Sequence, residues 1–432
     1  MTGHGGIDHS HDPALTSWVV SANGHLDFPI QNLPLGVFSP LAGAPRGGVA
    51  IGDMILDLRT LHEAAVLDDE AQAAIHSCIG TSLNPFLALG AGPRRALRDA
   101  VSALLADGSD PRPHLLHRAA DCIMYLPAHV GDYSDFYAGI HHAEAVGAML
   151  RPDQPLMPNY KWLPVGYHCR SSTIRPPGDV RRPNGQRKPG TETSPSYGPS
   201  RSLDYELELA VWVGAGTAIG TSVPIGQAAE HIAGYTLLND WSARDIQGWE
   251  YQPLGPFLGK SFCTTVSPWL VTPEALAPFR IAQACRAPND PPLLPHLNDT
   301  GDQAAGAIDL IVEVLISTAQ MRAADLAPHR LSAGNAAALY WTPAQMLTHQ
   351  ASNGCALNPG DVLGTGTISA PGAPGCLLEL TRGGRAPFTL PSHETRRFLE
   401  DGDSITLRAR AGGAGRVSIG FGDCTATVLP AM

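Results

Sequence analysis

The sequence predicts a mostly β protein built in two unequal parts. Three observations carry this. Gly 46 and Pro 38 punctuate a chain of 432 residues, which favours short strands and turns over long helices. Hydrophobic residues make up 44% and charged residues only 16%, enough apolar surface for a large core and too little charge for a coiled coil. Short apolar runs alternate with turn residues along most of the chain.

Taken in order, residues 1–15, with His4, His9 and His11, read as a solvated tail rather than a metal site. From Ser17 to Leu58 the apolar runs and tight turns of SWVVSANGHLDFPIQNLPLGVFSP and GGVAIGDMILDL read as a small β-structure. In GPRRALRDAVSALLADG, Pro93 suits a first helical turn. Leu97, Val101, Leu104 and Leu105 share one face, and Gly108 ends the helix. A boundary near 115–122 then divides the chain into an N-terminal domain, 16–120, and a C-terminal domain, 121–432. The C-terminal part reads as a long series of short strands. Within it RRPNGQRKPGTETSPSYGPSR is a loop by composition, and DGDSITLRAR with GRVSIGFGDCTATVLPAM gives closing hairpin strands.

Net charge is −11, which argues against nucleic acid or an anionic membrane as the main partner. No window approaches ~18 uninterrupted apolar residues, so no membrane span is expected. The N-terminus has no basic region followed by an apolar run. Eight cysteines are scattered without a CxxC pair, a pattern that fits a reducing cytoplasm better than a disulfide scaffold.

The chemistry concentrates in three segments. In SLDYELELA, residues 202–210, strand alternation puts Leu203, Tyr205, Leu207 and Leu209 on one face and Asp204, Glu206 and Glu208 on the other. Two residues apart on one face, Glu206 and Glu208 have Cα atoms about 6.5–7 Å from each other. They can address one divalent cation, or they can form the solvated face of an amphipathic strand. GDYSDFYAGIHHAEAVGAMLR, 131–151, gathers Asp132, Tyr133, Asp135, Tyr137, His141 and His142. LNDWSARDIQGWEYQPLGPFLGKSF, 238–262, adds Asp240, Arg244, Asp245, Gln247, Tyr251 and Lys260. Such mixtures are poor core material unless paired or metal-bound, and a structural ion-pair network is the plainer alternative. Carboxylates without Cys suit Ca²⁺ or Mg²⁺ rather than zinc. GxSxG and the Walker A pattern are absent, and GAGTAIG (214–220) reads as a strand end and turn.

Together with LPVGYH, SNGCALNPGD, GTGTIS, LLEL and RRFLEDGD, these segments resemble the fumarylacetoacetate hydrolase family from about Ser17 to the C-terminus. The SARD-type segment alone would indicate only the wider superfamily, and SANG…DFPIQNLPLG narrows the match to the fumarylacetoacetase branch. The resemblance implies a small N-terminal SH3-like β-barrel, a large C-terminal mixed β-sandwich roll, a homodimer and a cytoplasmic enzyme. The implied reaction is hydrolysis of a carbon–carbon bond in a small β-diketo acid, fumarylacetoacetate, at the end of tyrosine and phenylalanine breakdown. Carried over by position, the implied metal ligands are Asp135, Glu206, Glu208 and Asp240 for Ca²⁺ or Mg²⁺. Lys260 and Thr264 fall at a possible second Mg²⁺ site. His142 would be the base with Glu379 as its partner, and Arg244, Gln247 and Lys260 would line the oxyanion pocket. Tyr137, Arg151, Gln247, Tyr251 and Thr367 would hold substrate, with Tyr167 nearby. Cys169 and Cys263 stand where the family pattern implies Gly, so a positive-φ backbone there would be strained. His141 replaces an expected amide. A related acylpyruvate hydrolase or decarboxylase, and a non-catalytic metal-stabilised binding protein, are the competing readings.

Overall fold

The protein's structure, a computed structural model, describes residues 6–41, 43–190, 192–413 and 415–432. Strands dominate it. The first sheet is antiparallel, with strands in the order Leu116–Arg118, Met54–Asp57, Arg46–Ile51, Leu35–Pro40 and Cys122–Tyr125. Helices enter between its third and fourth strands in sequence. The longest, Ala91–Leu105, buries Leu97, Val101 and Leu105 as its periodicity predicts. It stops at Leu105, before Gly108, because Ala106 turns to an extended backbone.

That helix also buries two arginines. Arg94 donates to both carboxylate oxygens of Glu274, at 2.8 and 2.9 Å. Arg98 donates to the carbonyls of Asn32 and Gln31 at 2.5 and 2.6 Å. Pairing of this kind is what makes a buried guanidinium tolerable. The expected tail departs from expectation at the same place. His4 lies outside the described residues, but His9–His11 form a 3₁₀ turn capped by Asp8. His11 is buried, and its Nε2 lies 2.8 Å from the Glu274 carbonyl.

The central sheet is mixed and seven-stranded. Its order is Gly166–His168, Tyr133–Phe136, Val362–Gly364, Leu207–Val213, Ile232–Asp240, Thr264–Val266 and Ile174–Arg175. Strand Leu207–Val213 is buried on both faces. Leu207, Leu209, Val211 and Val213 join one hydrophobic cluster with residues of another sheet, that of His329–Asn335, Ile311–Ser317, Ser404–Gly413, Cys424–Leu429 and Gly178–Arg181. Ala210 and Trp212 join the cluster of the N-terminal sheet and helices. So the face that carries Glu206 and Glu208 is covered further along by the N-terminal part. It is not a solvated acidic face.

Two further expectations need correction. The stretch expected as a loop contains a hairpin, Asn184–Arg187 against Ser196–Pro199. The stretch expected as strands contains helices, among them Ile140–Leu150, Arg244–Glu250 and Pro343–Ala351. The closing strands Ser404–Gly413, Arg416–Gly420 and Cys424–Leu429 pair antiparallel as expected. No helix among the described residues is long and apolar enough to cross a membrane.

Candidate active site

Neighbouring strands of the central sheet deliver the acidic groups. Asp135 lies on Tyr133–Phe136, Glu208 on Leu207–Val213, and Asp240 ends Ile232–Asp240. Strand Val362–Gly364 runs between the first two, with Gly364 in register with both Asp135 and Ala210. A Cβ on Gly364 would sit 2.5 Å from Asp135 Oδ1 and 3.0 Å from Glu208 Oε2. Glycine there is what lets two carboxylates meet across the strand. The next turn closes the cradle. The Gly366 amide donates to Asp135 Oδ1 at 3.2 Å and to Glu208 Oε2 at 3.0 Å.

One oxygen from each of Asp135, Glu208 and Asp240 lies within 4.8 Å of the others, and all three residues are buried. Burial pushes these carboxyls up, Asp135 to about 8, Asp240 to about 6 and Glu208 well above its usual range. Repulsion from neighbouring cluster carboxylates adds to it at Asp135 and Glu208, while at Asp240 Lys260 works against it and Glu206 with it. Glu208 Oε1 has no hydrogen-bond partner. Three converging carboxylate oxygens, with an orphaned Glu208 oxygen on one of the residues, suit a hard divalent cation.

Glu206 behaves differently. Its Oε1 lies 2.7 Å from Arg244 Nη1 and its Oε2 lies 2.5 Å from Lys260 Nζ. Burial works against its ionised form, but Lys260, Arg244 and His142 outweigh it and hold the carboxyl well below the usual range. Of the four expected ligands the structure therefore gathers three around one point and ties the fourth to cations. Lys260 also donates to Asp240, and those partners keep its ammonium protonated against the effect of burial. As an ammonium the Lys260 side chain is not a metal ligand; it competes for the same oxygens. Thr264, in register with Asp240, lines a separate cavity of about 150 Å³ with Lys260, Tyr133, Tyr167 and Cys169. Tyr167 Oη donates to Asp240 Oδ2 at 3.4 Å. Neither Cys169 nor Cys263 is among the non-glycine residues with positive φ, so the expected strain is absent.

His142 sits in the first turn of helix Ile140–Leu150. Gly139 precedes that helix, and a Cβ on it would lie 2.4 Å from the Thr367 carbonyl. His142 Nδ1 is 2.6 Å from Glu379 Oε1. The same oxygen accepts from Ser369 Oγ at 2.8 Å and Cys376 Sγ at 3.2 Å. Burial opposes ionisation of Glu379, yet His142, Ser369 and Cys376 hold its carboxyl below the ordinary value. An Nδ1–H bond to this carboxylate leaves Nε2 as the free acceptor of the ring. His141 is only half-buried and does not share the site.

Part of this constellation opens on one cavity of about 300 Å³, which Glu208, Asp240 and Glu379 do not line. Asp135, Glu206, Lys260, His142, Arg244 and Gln247 line it, as do Tyr137, Arg151, Tyr251, Thr367 and Tyr167. Several of its polar atoms lack partners: Arg244 Nη2, Arg151 Nε and Thr367 Oγ1 are buried and unbonded. Sequence reasoning passed over Ser369, Cys376 and the Gly366 amide. No spacing signal marks them, because each acts through a loop that only the fold brings to the site.

Residues 31–127 match the family model for the fumarylacetoacetase N-terminal domain, and residues 133–429 match that for the fumarylacetoacetate (FAA) hydrolase C-terminal domain. The chain is 46% identical over 430 residues to the fumarylacetoacetase of Caenorhabditis elegans, covering 95% of this chain and 99% of that protein. It is 42% identical over 430 residues to that of Arabidopsis thaliana, covering 96% and 99%. It is 43% identical over 421 residues to that of Homo sapiens, covering 94% and 97%. A solved fumarylacetoacetate hydrolase from psychrophilic Exiguobacterium antarcticum, 18% identical, superposes with a TM-score of 0.50 over 92% of this chain and 99% of that one, which speaks to fold alone. On full-length identity and on both matched domains, the chain belongs to the fumarylacetoacetase family.

Proposed function

We propose that the chain hydrolyses the carbon–carbon bond of 4-fumarylacetoacetate to fumarate and acetoacetate, the last step of tyrosine and phenylalanine breakdown. The observation that carries this is the single cavity lined by His142, which is bonded to Glu379, by Asp135 of the buried carboxylate cluster with Glu206, and by the three residues with orphaned donors. A β-diketone suits such a site because its cleavage expels an enolate, a tolerable carbanion.

Asp135, Glu208 and Asp240, with Glu206 beside them, are the residues to hold Ca²⁺ or Mg²⁺. When bound, the cation supplies Lewis-acid stabilisation of the charge that develops on the diketone oxygens. His142 Nε2 takes a proton from water as it attacks the fumaroyl carbonyl, and Glu379 holds the ring in the needed tautomer and stabilises the imidazolium. The unbonded Nη2 of Arg244, with Gln247 and Lys260, faces the oxyanion that forms. The carbon–carbon bond then breaks, and the electron pair passes to the acetoacetate enolate. The proton held on His142 returns to the enolate carbon. Arg151, Tyr251, Tyr137 and Thr367 hold the substrate, a dicarboxylate that needs cationic and hydroxyl partners in an otherwise acidic protein.

Further parts of this reading go with the family. The domains are taken as 16–120 and 121–432, although strand Cys122–Tyr125 still pairs with the N-terminal sheet; an SH3-like barrel is followed by a mixed β-sandwich roll, and the chain works as a cytoplasmic homodimer. The stretch from Lys260 to Thr264 would mark a second, Mg²⁺-associated position beside the smaller cavity, with the Lys260 ammonium on neighbouring carboxylates and not on the ion. The deciding assay supplies fumarylacetoacetate and a panel of acylpyruvates to the Ca²⁺- or Mg²⁺-loaded protein. Fumarate and acetoacetate should form one to one, with acylpyruvates turned over far more slowly. Preference for an acylpyruvate would reassign the enzyme, and silence on the whole panel would make it a binding protein.

A further inference from the structure

Asp204 ends a separate short strand, Leu203–Asp204, just before Glu206 and Glu208, and is not part of the metal cluster. It is fully buried, and its two oxygens accept four hydrogen bonds. Oδ1 accepts from the amides of Tyr205 at 2.8 Å and Leu377 at 2.7 Å. Oδ2 accepts from the Leu378 amide and Arg244 Nε, both at 2.9 Å. Leu377 and Leu378 open the short helix Leu377–Leu380, which carries Glu379, and the Cys376 side chain does not cap it. The first amides of a helix need an acceptor, and here it comes from a residue more than 170 positions away in sequence. Arg244 is fixed from the same side: Leu203–Asp204 pairs with Ser242–Ala243 just before it, and its amide donates to the Ser202 carbonyl at 2.9 Å.

We propose that Asp204 is a positioning residue that locks the Glu379 helix to the Arg244 guanidinium, so that one buried carboxylate sets both the partner of the base and the oxyanion donor. This rests on the roles given above to Glu379 and Arg244. Its chemistry is one of charge-assisted bonds to four preorganised donors. Asparagine fits the same space but opposes two of those donors with an NH₂ group.

The test compares Asp204→Asn, Glu379→Gln and the double variant, each loaded with Ca²⁺ and assayed on fumarylacetoacetate. Asp204→Asn should lower kcat about 10- to 100-fold with KM within about threefold of wild type. In the Glu379→Gln background it should add clearly less than its loss alone, no more than about tenfold, because the part that runs through Glu379 is already gone and only the part through Arg244 remains. Losses that multiply in full would mean a scaffold role and overturn the proposal. So would an Asp204→Asn enzyme within twofold of wild type while Glu379→Gln is inactive; the reading of the site would then survive alone. Full activity in Glu379→Gln would sink both. Should Asp204→Asn be recovered unfolded, Asp204→Ser, smaller and still an acceptor for one amide, is read by the same criteria.

Discussion

Two sets of buried carboxylates lie in this site, and their environments drive them in opposite directions. Glu379 has donors on every side of one oxygen, His142, Ser369 and Cys376, and its carboxyl is held down despite burial. Asp135, Glu208 and Asp240 are more deeply buried, face other carboxylates, and have too few donors (the Gly366 amide, Tyr167 and the shared Lys260) to offset burial, so their carboxyls are pushed up. Burial is common to both, so neighbours decide the outcome. The first set is complete within the protein and ready to orient an imidazole. The second is complete only with a cation. Glu206, two positions before Glu208 of the cluster, shows the switch locally, because Arg244 and Lys260 turn it into a stable anion.

The largest effect expected from breaking this contrast is on the dyad. Glu379→Gln keeps the shape and removes the charge, and should cut kcat by about 10²- to 10⁴-fold with cation binding unchanged, measured by steady-state kinetics beside calorimetric titration of Ca²⁺. On the other side of the comparison, Glu208→Gln should weaken cation binding and activity together. It should also raise the melting temperature of the chelated protein, because one of the mutually repelling buried groups is gone. A fall in that melting temperature would mean that the carboxylates hold the fold without a cation.

The pH dependence sharpens the same point. Asp135 and Asp240 have folded values above the unfolded one of about 4. Between that value and their folded values of about 6 for Asp240 and about 8 for Asp135, the folded state holds more protons than the unfolded. Their contribution is therefore fully present below about pH 4 and lost as pH rises through those values. Chelated protein should melt at a lower temperature at pH 8 than at pH 5, and added Ca²⁺ should raise the melting temperature most at pH 8. Glu379 works in reverse, since its lowered value gives stability that is present above the unfolded value and lost on acidification. The smallest effect belongs to Cys169→Gly and Cys263→Gly, which should leave kcat/KM within about twofold of wild type, since neither position has the backbone that favours glycine.

Much of the site was legible because strand alternation has a period of two and cannot be disguised. Leu203, Tyr205, Leu207 and Leu209 face one core while Glu206 and Glu208 point away from it, Glu206 into the cavity and Glu208 into the carboxylate cluster, as the pattern requires. The helix Ala91–Leu105 was legible for a similar reason, through its apolar stripe. What stayed hidden depends on partners distant in sequence. Arg94 meets Glu274, Asp204 caps a helix beginning at Leu377, and Lys260 claims Glu206 from the cluster. The hairpin of Asn184–Arg187 and Ser196–Pro199 hid behind Gly, Pro and Ser that serve its turns. The helix bearing His142 escaped because its Ala, Gly and Val residues carry little contrast between faces.

The central claim is that a cation held by Asp135, Glu208 and Asp240 and a base set by Glu379 act on one substrate. The most direct measurement titrates Ca²⁺ into chelated wild-type protein and chelated His142→Ala while following fumarate release and bound metal together. Wild type should regain turnover in step with binding, and His142→Ala should bind the ion equally and release no fumarate. Full turnover in the chelated wild type, or turnover in His142→Ala within a few-fold of wild type, would contradict it.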